Sequence, residues 1–244
     1  PYNGIDDIKN KLIKPVSKHF FDDSLRFLRA ARFSAQLDFN IDSSFKDMAQ
    51  IAINNGDIDL LIKKFPDRIK KELIKVFKTK NPSKYFYSLK YMGLLELFFP
   101  YLFKLIDIPQ VEKHHPEGCA FTHTMLVLDN CRKFTDDFCL LFACLVHDLG
   151  KGETEKHLLP QHIAHEKKGI PLVEEMCIYY NIGKKKKDFI LKFTLNHIII
   201  HNSMGMTPRN LVKLLRDKLN CINKEHLLKN FLISAKSDSL GKGN

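Results

Sequence analysis

Apart from its first segment, the chain repeats apolar residues at the three- to four-residue interval of an α-helix nearly throughout, which predicts an all-α fold. Leu25, Leu28, Ala31, Phe33 and Ala35 alternate with arginines in a helix that Asp22, Asp23 or Ser24 can cap. Residues 67–77 are amphipathic, with Ile69, Leu73, Val76 and Phe77 on one side. Asn81-Pro82-Ser83 starts another helix that directs Phe86, Leu89, Leu94 and Leu95 toward a core. Further helices are expected near 122–133, 137–148, 165–180, 184–201 and 208–219, and only Tyr2 to Val16 suggests strand or irregular structure. Around 107–118 a proline-containing, His-rich connector breaks the pattern, so the chain reads as two helical parts, 1–108 and 109–244.

Composition limits the function classes. A hydrophobic share of 44% in 244 residues supports one large or two modest cores. The net charge of +11 favours polyanionic partners such as nucleic acid, although a lysine-, isoleucine- and asparagine-rich composition accounts for it equally well. No apolar run approaches the ~20 residues of a membrane span and no signal peptide opens the chain, so no membrane partner is expected and a cytoplasmic location is. The six cysteines form no C-x-x-C pair, which fits reduced, buried thiols and argues against a cysteine zinc site. The chain opens at Pro1 without a Met and stops soon after Asp238, so a piece of a longer polypeptide is expected.

The densest chemical signal is His147-Asp148 within Leu-Val-His-Asp-Leu-Gly-Lys, residues 145–151. Adjacent side chains on one helix point about 100° apart, so such a pair grips a metal only from the rim of a pocket, and other elements must supply more ligands. His123, His162, His165, His197, His201 and Asp238 are available for that. Imidazoles and carboxylates suit Mn²⁺, Co²⁺, Ni²⁺, Fe²⁺ or Mg²⁺ without choosing among them. Lys151 either balances charge developing on a phosphate or is a solvated lysine after a helix end. His162 and His165, and the pair His197 and His201 four residues apart on one helix face, are open to a second metal or a phosphate contact. His114 and His115 read as exposed connector residues without a role. Lys184–Lys187 reads as a solvated helix start or as a contact to an RNA backbone.

Arg26, Arg29 and Arg32 recur every third residue along an otherwise apolar helix. They form either a basic edge making surface ion pairs or a nucleotide-recognition face, in which Asp23 and Arg26 share one base edge.

The run Phe-Asp-Asp-Ser-Leu-Arg-Phe-Leu-Arg-Ala-Ala-Arg-Phe, residues 21–33, closely resembles the E-D-x-x-R-x-L-R-A-x-R-F signature of bacterial tRNA nucleotidyltransferases, the CCA-adding enzymes related to poly(A) polymerases. Gly-Ile-Asp-Asp at 4–7, Asp67-Arg68 to Glu72-Leu73, and Gly93-Leu-Leu to Phe99-Pro100 are similar to the flanking motifs in order, with Asp22, Ser24 and Asp67 replacing the usual Glu, Pro and Glu. The second half resembles the HD phosphohydrolase domain that some of these enzymes carry.

The resemblance implies a helical neck and body region followed by a helical HD domain, with tRNA, CTP and ATP as partners. It assigns Asp23 and Arg26 to the template that reads CTP and ATP, Arg29 to nucleotide contact and Arg68 to support of the neck. It makes His123, His147, Asp148 and Asp238 the metal ligands, with Lys151 and Asp148 in catalysis and a divalent ion (Ni²⁺, Mn²⁺, Co²⁺ or Mg²⁺) as cofactor. In the family, polymerisation resides in an N-terminal head with a Gly-Gly loop and paired aspartates holding Mg²⁺. Nothing in residues 1–16 supplies these groups, so nucleotide addition is not expected of this chain alone, and hydrolysis of phosphomonoesters or 2′,3′-cyclic phosphates is. The rival readings are a freestanding HD phosphohydrolase on a helical scaffold and a non-catalytic RNA- or nucleotide-binding module.

Overall fold

The computed structural model describes residues 3–242, without the side chain of Lys18; Pro1, Tyr2 and Asn244, on which parts of the sequence reading fall, lie outside them. The fold is all-α: among the described residues there are fourteen α-helices and one pair of two-residue strands. The chain divides into two compact units, the first ending at Pro100 and the second beginning at Tyr101.

The first unit opens with α1 (Gly4–Lys9), a helix where the sequence suggests strand or irregular structure. It buries no residue, so it carries none of the apolar periodicity that reveals a helix. Asp6 and Asp7 in its first turn and Lys9 in its last instead complement the helix dipole. Strand β1 (Leu12–Ile13) then pairs in parallel with β2 (Asn40–Ile41), Leu12 opposite Asn40 and Ile13 opposite Ile41.

Between the strands lies α2 (Leu25–Leu37), whose start is fixed by Asp23: one carboxylate oxygen accepts the Leu25 N–H at 3.0 Å. Helices α3 (Ser44–Asn54), α4 (Asp57–Lys64), α5 (Pro66–Val76), α6 (Ser83–Tyr91) and α7 (Leu95–Phe98) complete the unit. Helix α2 packs on α5 and α6, and its Phe27, Leu28 and Ala31 are fully buried. Phe20, Phe21, Phe27 and Phe45 form a ring cluster at one end, with centroids 5.1–6.3 Å apart. Ile69, Leu73, Val76 and Phe77 are buried on one face as their spacing predicts.

The short helix α8 (Pro100–Phe103) lies at the division of the chain. In the second unit a connector closes on itself through a bridge between Pro109 and Cys119 and leads into α9 (Ala120–Phe134). Helix α10 (Phe138–Val146) is apolar on every side and buried from Cys139 to Val146, the pattern of a central helix. Asp137 caps it, accepting the Cys139 and Leu140 N–H groups at 2.7 and 3.2 Å. The unit continues with α11 (His165–Tyr179), α12 (Lys184–His201), α13 (Pro208–Lys213) and α14 (Glu225–Leu240). Helix α9 packs on α10 and α14, and α12 packs on α10 and α11.

Candidate metal centre

The His-Asp pair sits where α10 ends. His147 keeps helical angles, but Asp148 (φ −105°, ψ 10°) leaves the helix and enters a 3₁₀ turn over Leu149–Glu153. The expected helix through residue 148 therefore stops at Val146. That break resolves the difficulty of two adjacent ligands on one helix: His147 Nε2 and Asp148 Oδ2 come within 3.3 Å of each other. The Gly-Lys step that follows has a steric reason. A Cβ on Gly150 would lie 2.0 Å from the His165 carbonyl oxygen and 2.5 Å from the Gly169 nitrogen, so only glycine lets the turn seat on α11.

Five elements then converge. His123 comes from α9, His165 from the start of α11, His197 and His201 from α12, and Asp238 from α14. His123 Nε2 lies 3.0 Å from Asp238 Oδ1 and 3.6 Å from Asp148 Oδ2, and His147 Nε2 lies 3.5 Å from Asp238 Oδ1. On the other side, Asp148 Oδ1 faces His165 Nε2 at 3.1 Å and His197 Nε2 at 3.4 Å. Among the described residues three groups have their donor atoms within 4.8 Å of one another: His123/His147/Asp238 and Asp148/His165/His197, which meet at Asp148, and His115/Glu117/His123 at their edge. Asp148 stands between the first two, one oxygen toward each.

The far side of every ring is tied down. The Nδ1–H groups of His147, His165 and His197 donate to the carbonyls of Cys144, His162 and Thr194 at 2.8, 2.7 and 2.8 Å. His123 Nδ1–H donates to Glu117 Oε1 at 2.8 Å and toward the Gly241 carbonyl at 3.2 Å. With Nδ1 as donor, a neutral imidazole presents a bare lone pair on Nε2, the arrangement a metal ligand needs.

The two carboxylates are ionised and need positive charge beside them. Burial alone would raise the Asp148 and Asp238 carboxyls, but His147 and, for Asp148, Lys151 outweigh it and hold both well below the usual carboxylate range. Burial pulls His147 down, yet the Asp148 and Asp238 charges overcome this and push it up to about 10. His197, where burial dominates, is lowered. His147 Nε2 and Asp148 Oδ1 are buried and make no hydrogen bond among the described residues, so the residues fit a divalent ion.

Buried Lys151 donates to Asp148 Oδ2 and to Gln110 Oε1, both at 2.6 Å. His201 bonds through Nε2 to the second oxygen of Asp238, and its Nδ1 meets Ser239 Oγ at 3.1 Å. His162 stays outside all three groups: its Nε2–H donates to the Pro109 carbonyl and its Nδ1 accepts from Thr154 Oγ, both at 2.9 Å. Both ring nitrogens thereby have protein partners, and its backbone carbonyl holds His165 Nδ1–H. The cavity over the cluster has a volume of about 190 Å³, and His115, Lys151, His201, Asn202 and Lys242 line it. Gln110, Glu117, Asn202 and Lys242 escape a motif search, because they are polar residues outside any metal-ligand spacing.

In the first unit the arginines have separate environments. Arg26 Nη1 donates to the His19 and Phe20 carbonyls at 2.5 and 3.0 Å, Arg29 is exposed, and Arg32 is buried against Glu72 at 2.7 Å. Asp23 Oδ2 accepts from Arg68 Nη2 at 2.7 Å, and the Asp23 carbonyl accepts the Arg26 backbone N–H at 2.9 Å. Burial would raise the Asp23 carboxyl, but Arg68, the Leu25 amide and Arg26 together lower it. Asp23 and Arg68 line a cleft of about 520 Å³ with Phe21, Asn55, Leu61 and Phe65. Of the lysine run, Lys184, Lys185 and Lys186 are exposed at the start of α12 and Lys187 pairs with Glu174 at 2.5 Å.

Residues 57–106 match the family described as "Probable RNA and SrmB- binding site of polymerase A", and residues 120–225 match the HD domain. The Multifunctional CCA protein of Ralstonia nicotianae is 32% identical over 99% of this chain and 56% of its own length. That of Actinobacillus pleuropneumoniae serotype 5b is 34% identical over 99% of this chain and 60% of its own. The chain thus spans a little over half the length of these curated relatives. Among solved structures, the Thermotoga maritima CCA-adding enzyme complexed with tRNA aligns at a TM-score of 0.56 and 16% identity, over all of this chain and 50% of its own. A CCA-adding enzyme with ATP aligns at 0.57 and 16%, over all of this chain and 49% of its own. At these identities the structural likeness speaks to the fold.

Proposed function

Over the length that it matches, the chain belongs to the family of the multifunctional CCA proteins, and from that premise we propose that its second unit is a metal-dependent phosphohydrolase acting on phosphomonoesters or 2′,3′-cyclic phosphates. The observation that carries this reading is Asp148 between two groups of inward-turned Nε2 atoms. His123, His147, Asp148 and Asp238 would hold one divalent ion, and Asp148 with His165 and His197 a second. A divalent ion bound there supplies Lewis acidity, lowering the pKa of a water and polarising a phosphoryl oxygen.

The protein's own groups do the rest. Lys151 fixes Asp148 and places a positive charge beside the anionic substrate. His201 orients Asp238. The cavity over the cluster, about 190 Å³, leaves room beside Lys151 and His201 for a phosphate group.

For the first unit, the same premise supports a part in CCA addition to tRNA from CTP and ATP. Asp23 and Arg26 would read the base, Arg29 would contact the nucleotide, and Arg68 would hold the Asp23 carboxylate in place. The hydrolytic reading is tested by loading the chain with Ni²⁺, Mn²⁺ or Co²⁺ and offering a 2′,3′-cyclic nucleotide; no turnover with any of the three removes it. The template reading is tested by Arg26→Ala, and unchanged CTP and tRNA binding removes that one.

A further inference from the structure

His114 and His115, shortly before α9, read as exposed connector residues in the sequence, yet the side chain of neighbouring Glu117 is only 2% exposed. Glu117 Oε1 receives two hydrogen bonds, from His123 Nδ1–H and from His115 Nδ1–H, each of 2.8 Å. An ionised carboxylate is acceptor-only, so both protons belong to the imidazoles. Its other oxygen is buried with no hydrogen-bond partner among the described residues, so the carboxylate's contacts converge on the two rings. The His115 ring stands edge-on to His123, with centroids 4.9 Å apart, and lines the cavity. The competing acceptor for His123 Nδ1 is the Gly241 carbonyl, which is longer at 3.2 Å and neutral. The other three rings take their Nδ1 acceptor from a carbonyl three residues back in their own chain, a local device. His123 alone depends on a charged side chain from another segment.

We propose that Glu117 is the positioning residue of the metal centre. It locks His123 with Nδ1 protonated and Nε2 turned to Asp148 and Asp238, raises the basicity of that nitrogen, and holds His115 as a wall of the cavity. The proposal rests on the metal reading above, and its test separates the two.

The full chain, Glu117→Gln and Glu117→Ala are titrated with Mn²⁺ alone by calorimetry, alongside thermal unfolding of each metal-free form. Loss of such an outer partner typically weakens metal binding by about 10–100-fold. That loss is expected for Glu117→Ala, with a smaller one for Glu117→Gln, whose amide oxygen still accepts from Nδ1–H. Glu117→Gln keeps the side-chain volume and carries the test should Glu117→Ala not fold. Wild-type affinity in both variants overturns the proposal. So does an equal weakening that merely follows lost thermal stability, the result expected of a residue that only braces the connector. If the unsubstituted chain takes up no Mn²⁺, Co²⁺ or Ni²⁺, the metal reading falls. Glu117 is then judged by the ¹⁵N shift of His123 Nδ1 in the metal-free chain, which must move in Glu117→Ala for its hold on His123 to stand.

Discussion

Both units bury charged groups, but they finish the job differently. In the first, Arg32 is closed off within the protein: Glu72 takes its Nε at 2.7 Å, Gln36 takes its Nη1 at 2.9 Å, and Lys75 takes the second oxygen of Glu72 at 2.7 Å. In the second, four imidazoles have their outer nitrogens satisfied and their inner nitrogens pointed at two carboxylates, leaving His147 Nε2 and Asp148 Oδ1 without hydrogen bonds. A closed network is a structural element, whereas buried polar groups left open around ionised carboxylates define a place for a cation. The comparison separates two sets of charged residues that look alike in sequence.

Its sharpest test is Asp148→Asn. The substitution removes the charge shared by the two ligand groups while keeping the shape, so metal affinity should fall by more than about 100-fold and hydrolysis should vanish, with the fold retained by circular dichroism. The matching substitution in the closed network is Arg32→Ala. Breaking a buried pair strands its partner, at a cost of about 3–5 kcal/mol in urea unfolding of the first unit. If Arg32→Ala is nearly neutral, the network is not closed in solution.

Metal removal should act on one region alone. A chelator should lower the unfolding temperature of the second unit and leave the first unchanged, and an ion at a hundred times its Kd contributes about 2.7 kcal/mol. A smaller difference should come from pH. Burial would raise Glu72 above its ordinary 4.5, but the hydrogen bonds from Lys75 and Arg32 outweigh this and hold it lower. A carboxyl depressed in the folded state stabilises it above the unfolded pKa, and that stability is lost as pH falls through the folded value. The first unit should therefore lose stability on acidification below about 4.5, and Glu72→Gln should abolish that part of the slope. The smallest effect belongs to exposed Arg29: Arg29→Ala should change stability by less than about 0.5 kcal/mol while weakening CTP binding.

Much of the helical framework is legible in the periodicity, because amphipathic helices such as α5 must repeat their buried residues every three or four positions. Helix α1 is not, since it buries nothing, and the end of α10 is not, since its apolar run continues to Leu145-Val146 with no breaker before His147. The residue types of the candidate centre are legible too: His123, His147, Asp148, His165, His197, His201 and Asp238 stand out as imidazoles and carboxylates on a helical framework, and the structure brings them together. Their use as ligands is the proposal that the tests above address.

What the sequence by itself determined is the all-α class and the supply of groups able to hold a divalent ion, because periodicity and residue chemistry are local properties. Which groups face inward was decided only by the tertiary structure. His162 and His165 are indistinguishable as letters, yet one spends both nitrogens on Pro109 and Thr154 while the other turns Nε2 to Asp148. Glu117 is an ordinary connector acid until the chain folds back and sets it under His123. Partners such as His162 with Pro109 and His123 with Asp238 come from segments far apart in the chain, and only packing brings them within 3.0 Å.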